Sequence, residues 1–207
     1  TEYVIEDMFE GESYMIHGPP TIPRQFGATL QTIAHQSNKV RLFFFFLPYS
    51  KRNITYLCIK QKQQYPPWKN VIEIEYDAVS KKSRAKYLEG FDEGRMFIRR
   101  YDMKKEFMIE HVKVLSKYEC KRSYLGDEIP LPEFPENLKY HGLVSLSGLV
   151  CSYWKVEIQG LSRVHVFMNA KTGHPVRVTE EWIENDNVVP LMTYEFKHFR
   201  DSAPSPN

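Results

Sequence analysis

No stretch of this chain is apolar for long enough to cross a bilayer as a helix. The longest uninterrupted run, Leu42 to Leu47 with its four consecutive phenylalanines, is far short of the roughly 20 residues a spanning helix needs. Nor does one sign of charge dominate. Lys and Arg number 28 against 26 Asp and Glu, a formal net charge of +2, and the signs are interspersed, so nothing calls for nucleic acid or an anionic membrane as partner. The short basic clusters Lys81-Lys82-Ser83-Arg84 and Arg99-Arg100 read as solvated faces of turns and strands. The sequence also lacks Gly-x-Gly-x-x-Gly, a Walker loop, His-Glu-x-x-His and Gly-x-Ser-x-Gly, which removes phosphate cradles, zinc peptidases and the hydrolase elbow. Cysteine is scarce at three residues, with no Cys-x-x-Cys and no histidine pair at ligand spacing, so neither a metal nor any other cofactor is expected.

What the chain does have is the composition of an ordinary globular domain, 42% hydrophobic and 26% charged over 207 residues. That is enough for one sizeable core and short for two. A single β-rich domain is expected over residues 1–200, with 201–207 as a flexible tail. The pattern is one of strands. From Val71 to Asp77, Ile72, Ile74 and Tyr76 alternate with Glu73 and Glu75, as in a strand with one buried face. Thr55 to Lys60, Arg95 to Arg100, Phe107 to Leu115 and Leu143 to Leu146 add further short β-prone segments. Leu42 to Leu47, closed by Pro48, suits a strand covered on both faces.

The clearest hairpin runs from Arg163 to Met168, turns through Asn169-Ala170-Lys171-Thr172-Gly173, and returns from Val176 to Trp182; Gly173 supplies a positive φ at no steric cost. A second turn at Asn185-Asp186-Asn187 precedes Leu191 to Phe199, so the C-terminal third reads as an antiparallel meander. One or two short helices are expected, at Met8 to Tyr14 and around Ala28 to His35, where alternation is weak. The fold class is therefore mainly β, a strongly curved antiparallel sheet.

Cys120 and Cys151 flank a segment bearing Pro130, Pro132 and Pro135. A disulfide between them would close a loop of about 30 residues and stabilise by on the order of 3 kcal/mol in the chain-entropy model, leaving Cys58 unpaired. The alternative is three buried thiols. Asn53-Ile54-Thr55 is a formal N-glycosylation acceptor following an exposed-turn pattern, and with the cysteines it favours a secreted or endolysosomal setting.

Catalytic chemistry has little to stand on. The seven histidines are scattered singly, the nearest to a pair being His165 and His198 if they face one another across the last strands. Cys151 followed by Ser152-Tyr153-Trp154 has no papain-type context around it and no partner His-and-Asn block, so Trp154 reads as a core anchor beside a disulfide. The acidic pairs Glu73/Glu75 and Glu180/Glu181 lack an apolar enclosure that would raise a carboxyl pKa. Catalytic residues are therefore not expected.

Several strings taken in order are similar to the non-catalytic N-terminal region of the counting-factor-associated proteins and the insect two-chain papain-like cysteine proteases, and more distantly to ependymin-related proteins. They are Pro67-Trp68, Tyr76-Asp77, Ser83-Arg84, Tyr87 with Gly90, Cys120, Ile129-Pro130, Gly148, Cys151 with Trp154, and Gly173-His174-Pro175-Val176-Arg177. After the last of these the family continues with a Gly-Ser-His-Tyr-Asp-like block where this chain has Asn187 to Tyr194, and residues 1–60 match nothing in it. The resemblance implies a lipoprotein-carrier-like half-barrel without enzymatic activity. Its concave face would take a hydrophobic ligand such as lipid, with Phe43, Phe45, Tyr76, Tyr87, Phe167 and Trp182 as pocket candidates. The alternative partner is a protein, either a papain-like cysteine protease chain or a larger complex, against which the chain plays a regulatory or structural part.

Overall fold

The computed structural model describes residues 18–35, 67–112, 116–158, 162–184 and 187–204. Phe43, Phe45, Asn53, Cys58 and the Met8–Tyr14 segment lie outside them. The described residues form eleven antiparallel strands: β1 (Gln25–Ala34), β2 (Trp68–Asp77), β3 (Lys82–Glu89), β4 (Met96–Arg100), β5 (Lys105–Val112), β6 (Lys117–Tyr124), β7 (Lys139–Leu146), β8 (Leu149–Ile158), β9 (Ser162–Asn169), β10 (Pro175–Glu184) and β11 (Asn187–Arg200). All belong to one sheet in the order β6-β5-β4-β3-β2-β1-β11-β10-β9-β8-β7. From β1 at the middle of the sheet the chain walks outward to the β6 edge, jumps to the β7 edge, and walks back to close against β1.

That jump reveals the curvature. Ten strand spacings laid flat would separate the edges by about 48 Å, and the fourteen residues from Leu125 to Leu138 reach about 50 Å only when fully stretched. This segment bends at Asp127 and turns at Glu136-Asn137, so the edges must curl toward one another. The result is an open half-barrel, and the connection is a strap across its inside. Ile129, Phe134 and Leu138 of the strap lie against the main core, and the Tyr76 hydroxyl donates to the Pro130 carbonyl.

Strand alternation sorts side chains between the two faces. The inner face carries Phe26, Ala28 and Leu30 of β1, Tyr76 of β2, Trp154 of β8, Val164, Val166 and Met168 of β9, Val178 of β10, and Tyr194 and Phe196 of β11, all buried in one cluster. The outer face carries a smaller cluster of Val144, Leu146, Cys151, Tyr153 and Phe167. The expected core face of Val71–Asp77 is the observed one: Ile72 and Tyr76 are buried and Ile74 packs against the cluster. The β9–β10 hairpin also forms as expected. Asn169 Oδ1 accepts from the Lys171 and Thr172 amides, and Gly173, at φ +70°, donates its amide to the Asn169 carbonyl.

Two expectations are corrected. Ala28 to His35 is not helical but falls almost entirely within β1, which pairs with β2 on one side and β11 on the other. The alternation is present, but its buried positions Ala28, Thr32 and Ala34 are small or polar and contrast weakly with Gln31 and Thr29. Placement in the sheet centre decides the matter, as tertiary context often overrides local preference. Among the described residues the sole helical element is a 3-10 turn at Tyr101–Met103. The second correction concerns Cys120 and Cys151, which are both free thiols. Cys120 sits on the β6 edge strand and Cys151 on β8, beside the opposite edge, and the strap between them spans the half-barrel instead of folding back to join them.

Candidate functional site

The concave face changes character across its width. From β8 to β2 it is apolar apart from Glu180, which is buried between Val164 and Met192 and so has the enclosure not expected of it from the sequence. An aromatic row runs through its middle: Tyr76 stacks on Phe26 at 5.3 Å between ring centroids, Phe26 on Phe199 at 5.3 Å, and Phe199 meets the His174 ring at 5.0 Å. From β4 to β6 the same face is ionic. Arg99 Nε lies 2.6 Å from Glu106, Arg95 Nε 3.1 Å from Glu110, and Lys121 Nζ 2.7 Å from Glu110. These pairs hold the Glu110 carboxyl below the usual carboxylate range, with Lys121 as the largest cause. Burial, reinforced by the charge of Glu180, raises the Tyr194 phenol. Desolvation likewise raises Tyr76, whose hydroxyl is held by the strap.

Where the aromatic row reaches His174, a pocket of about 460 Å³ opens. One wall is the sheet itself, through Ser152, Trp154 and Met168; the other is the proline-bearing N-terminal segment, through Pro19, Pro20 and Pro23. Thr172, His174 and Asp201 also line it. The polar atoms on the sheet wall have partners: Trp154 Nε1 donates to Ser152 Oγ at 3.4 Å, and Ser152 Oγ donates to the Met168 carbonyl at 3.5 Å. An apolar guest lying against this wall would leave neither Ser152 nor Trp154 unsatisfied, whereas Asp201 and His174 across the pocket suit a polar end.

The sequence-derived pocket residues scatter relative to this site. Tyr76 lies on the inner face beneath the strap, and Trp182 packs against the same core. Tyr87, opposite Ile72 in the register, shares that face but packs edge-on to Phe97 at 5.6 Å. Phe167 is fully buried on the outer face, one residue out of phase with Val166 and Met168, so it cannot share a cavity with Tyr76. None of these four lines the 460 Å³ pocket. Trp154 does line it, where the sequence reading placed only a core anchor. Phe26 and the Pro19-Pro20-Thr21-Ile22-Pro23 string preceded the residues whose alternation was strong enough to read. A proline-dense string just before a strand was the available signal.

The outer face holds a separate polar chain. Tyr153 Oη lies 2.7 Å from His165 Nδ1, and His165 Nε2 lies 2.9 Å from Glu181 Oε2. His165 and His198, which could have faced one another across the last strands, do not, because β10 lies between β9 and β11. Hydrogen bonding to His165 is the largest cause holding the Glu181 carboxyl below its usual range. The Tyr153 ring is sandwiched within this cluster, 5.8 Å from His165 and 5.0 Å from Phe167, away from the pocket. Among the described residues no group of three His, Cys, Asp or Glu side chains could hold a metal ion, and no helix is long and apolar enough to cross a membrane.

No family model and no curated protein matches the sequence. Among solved structures, an uncharacterized conserved protein from Thermus thermophilus is similar at a TM-score of 0.44 and 10% identity, over 87% of this chain and 80% of that one. MucB of Pseudomonas aeruginosa, solved in complex with MucA, is similar at 0.43 and 12% identity over 88% of this chain, which spans about half of MucB at 53%. A LolA superfamily protein from Nitrosomonas europaea is similar at 0.34 and 9% identity, over 89% of each chain. At these scores the likenesses carry no functional argument.

Proposed function

We propose that this chain is a non-enzymatic binding module that holds a hydrophobic ligand of the lipid class on the inner face of its half-barrel, in a secreted or endolysosomal setting. The observation that carries the reading is the continuity of the 460 Å³ pocket with the apolar inner face through Trp154 and Met168. Its volume falls in the range of about 300–1,000 Å³ typical of small-molecule sites; its exposed lining is more polar than apolar, and the apolar contact comes from Trp154, Met168 and the prolines. His174 and Asp201 at the pocket would meet a ligand's polar end while the chain lies along Trp154 and Met168. The N-terminal proline segment makes a wall that needs no ladder hydrogen bonds of its own, since proline lacks the N–H to offer.

Native mass spectrometry of the full chain purified from its source, followed by denaturing mass spectrometry after organic extraction, tests the reading. A lipid-sized mass that disappears on extraction is expected. A bare chain that also fails to take up a fluorescent fatty acid overturns it, as does one that travels with a second polypeptide and no small molecule. The latter result would favour a regulatory or structural role beside a cysteine protease or another complex.

A further inference from the structure

Among the described residues strand β6 ends the sheet, so one row of its backbone N–H and C=O groups has no described strand beside it. Seven of its eight residues are exposed, and Tyr118 and Tyr124 each keep 75% of their surface. Native sheets commonly blunt such an edge with proline, a bulge, a covering loop or charged side chains; β6 carries the last in Lys117, Lys121 and Arg122, but alongside the opposite charge of Glu119. β6 has no proline, and its register with β5 runs unbroken from Lys105↔Tyr124 to Val112↔Lys117. Among the described residues it is an uncovered template for another strand.

Its side chains specify which strand. Lys117, Glu119, Lys121 and Ser123 lie on the inner face, continuing the register that places Ser123 beyond Tyr76, Ser83, Arg99 and Glu106. Tyr118, Cys120, Arg122 and Tyr124 lie on the outer face. Within the chain Glu119 sits directly opposite Glu110, an unfavourable juxtaposition. Lys121 is drawn to Glu110 at 2.7 Å, while Glu119 pairs with Lys117 at 3.6 Å. The edge therefore presents a carboxylate and an ammonium two residues apart.

Consider β6 paired antiparallel with β6 of a second copy about a two-fold axis perpendicular to the sheet. Inner residues then face inner residues, which restricts the axis to residue positions. With the axis at Cys120, Glu119 of each copy faces Lys121 of the other, Tyr118 faces Arg122, and Lys117 faces Ser123. No like charges meet, and the two pairs of each kind are formed at once. An axis one residue earlier sets Glu119 against Glu119, and one residue later Lys121 against Lys121. We infer that β6 is a self-association surface, on which two copies of this chain join antiparallel about Cys120 into one continuous sheet. The surface lies on the edge strand away from the pocket and does not depend on the ligand reading.

Sedimentation equilibrium of the full chain, together with thiol cross-linking, tests this. The wild type dimerises. Lys121→Glu raises the dimer dissociation constant by on the order of tenfold or more, because two attractive cross-strand pairs become repulsive. Glu119→Lys combined with Lys121→Glu restores association, since the same pairs form with their signs exchanged. Directly opposed residues on antiparallel strands have Cα atoms about 4.5–5.5 Å apart, within disulfide reach. Added diamide therefore takes two protons and two electrons from the facing Cys120 thiols, becoming the hydrazine, and leaves a disulfide-linked dimer whose peptide map joins Cys120 to Cys120. This cross-link needs no substitution and so holds even if a charge variant misfolds, which circular dichroism would reveal. A wild type that stays monomeric, or a dimer indifferent to both charge variants and joined through another cysteine, overturns the inference.

Discussion

The Tyr76 hydroxyl donates to the carbonyl of Pro130, fixing the strap that joins the two edges to the floor of the half-barrel. Tyr76→Phe keeps the ring and its stacking on Phe26 but leaves the Pro130 carbonyl without that donor. The expected cost is about 1–2 kcal/mol in a urea unfolding series. Amide exchange should quicken in peptides covering 125–138 while β9 and β10 stay protected. Unchanged strap exchange would show that the hydrogen bond does not hold the segment.

Trp154 and Phe167 are a matched pair of tests for which face binds. Both are buried aromatics, at 8% and 0% exposure, and truncation of either to alanine should cost about 3–5 kcal/mol. Only Trp154 lines the pocket. Trp154→Ala should therefore lose retained ligand or fatty-acid binding, while Phe167→Ala, at similar loss of stability, should keep it. Equal loss in both would point to destabilisation rather than to the pocket.

The cysteines should separate under a thiol reagent. Cys120 is exposed and Cys151 is buried, with burial pushing the Cys151 thiol up to about 11, far from thiolate at neutral pH. Iodoacetamide at pH 8 should label Cys120 in the native protein and Cys151 only after denaturation. Resistance of both, relieved by reductant, would instead indicate a disulfide.

Glu181 gives the outer cluster a pH dependence of known sign. Its carboxyl is depressed, first by the hydrogen bond from His165 and further by the charges of His165 and Arg163, against opposing desolvation. A carboxyl with a lowered folded-state pKa stabilises above its unfolded value, and that stabilisation fades as pH falls through the folded value. Glu181→Gln should accordingly be less stable than wild type at pH 7. The gap should narrow as the pH drops below about 4, the unfolded carboxyl range. A gap that stays constant between pH 7 and pH 3 would remove the charge of Glu181 from the account.

Strong alternation made much of the sheet legible. Ile72, Ile74 and Tyr76 against Glu73 and Glu75 announced both the strand and its buried face, and the Asn169 to Gly173 turn announced its hairpin. β1 was not legible because Ala28, Thr32 and Ala34 bury small or polar side chains that mimic no pattern. The pocket was harder still. Which face Phe167 takes is set by a one-residue phase against Val166, and aromatic composition alone carries no phase. The Cys120–Cys151 pairing failed for a topological reason: their segment is a crossing, and a crossing and a closed loop have the same length in sequence.

The order of the strands also fixes how the molecule can come together. Every neighbouring pair except one is joined by a short connection or by the β1–β2 excursion; the exception is β1 with β11, where Leu30 opposes Phe196 and Ile33 opposes Thr193. These partners are separated by most of the chain. Two meanders, β1 to β6 and β7 to β11, can each assemble from neighbours, whereas the central seam must await a loop closure of the largest entropic cost in the molecule. The seam runs through the middle of the inner face, so that face is expected to be completed late in folding, and a chain cut within the strap would still leave two halves with matching edges to reunite.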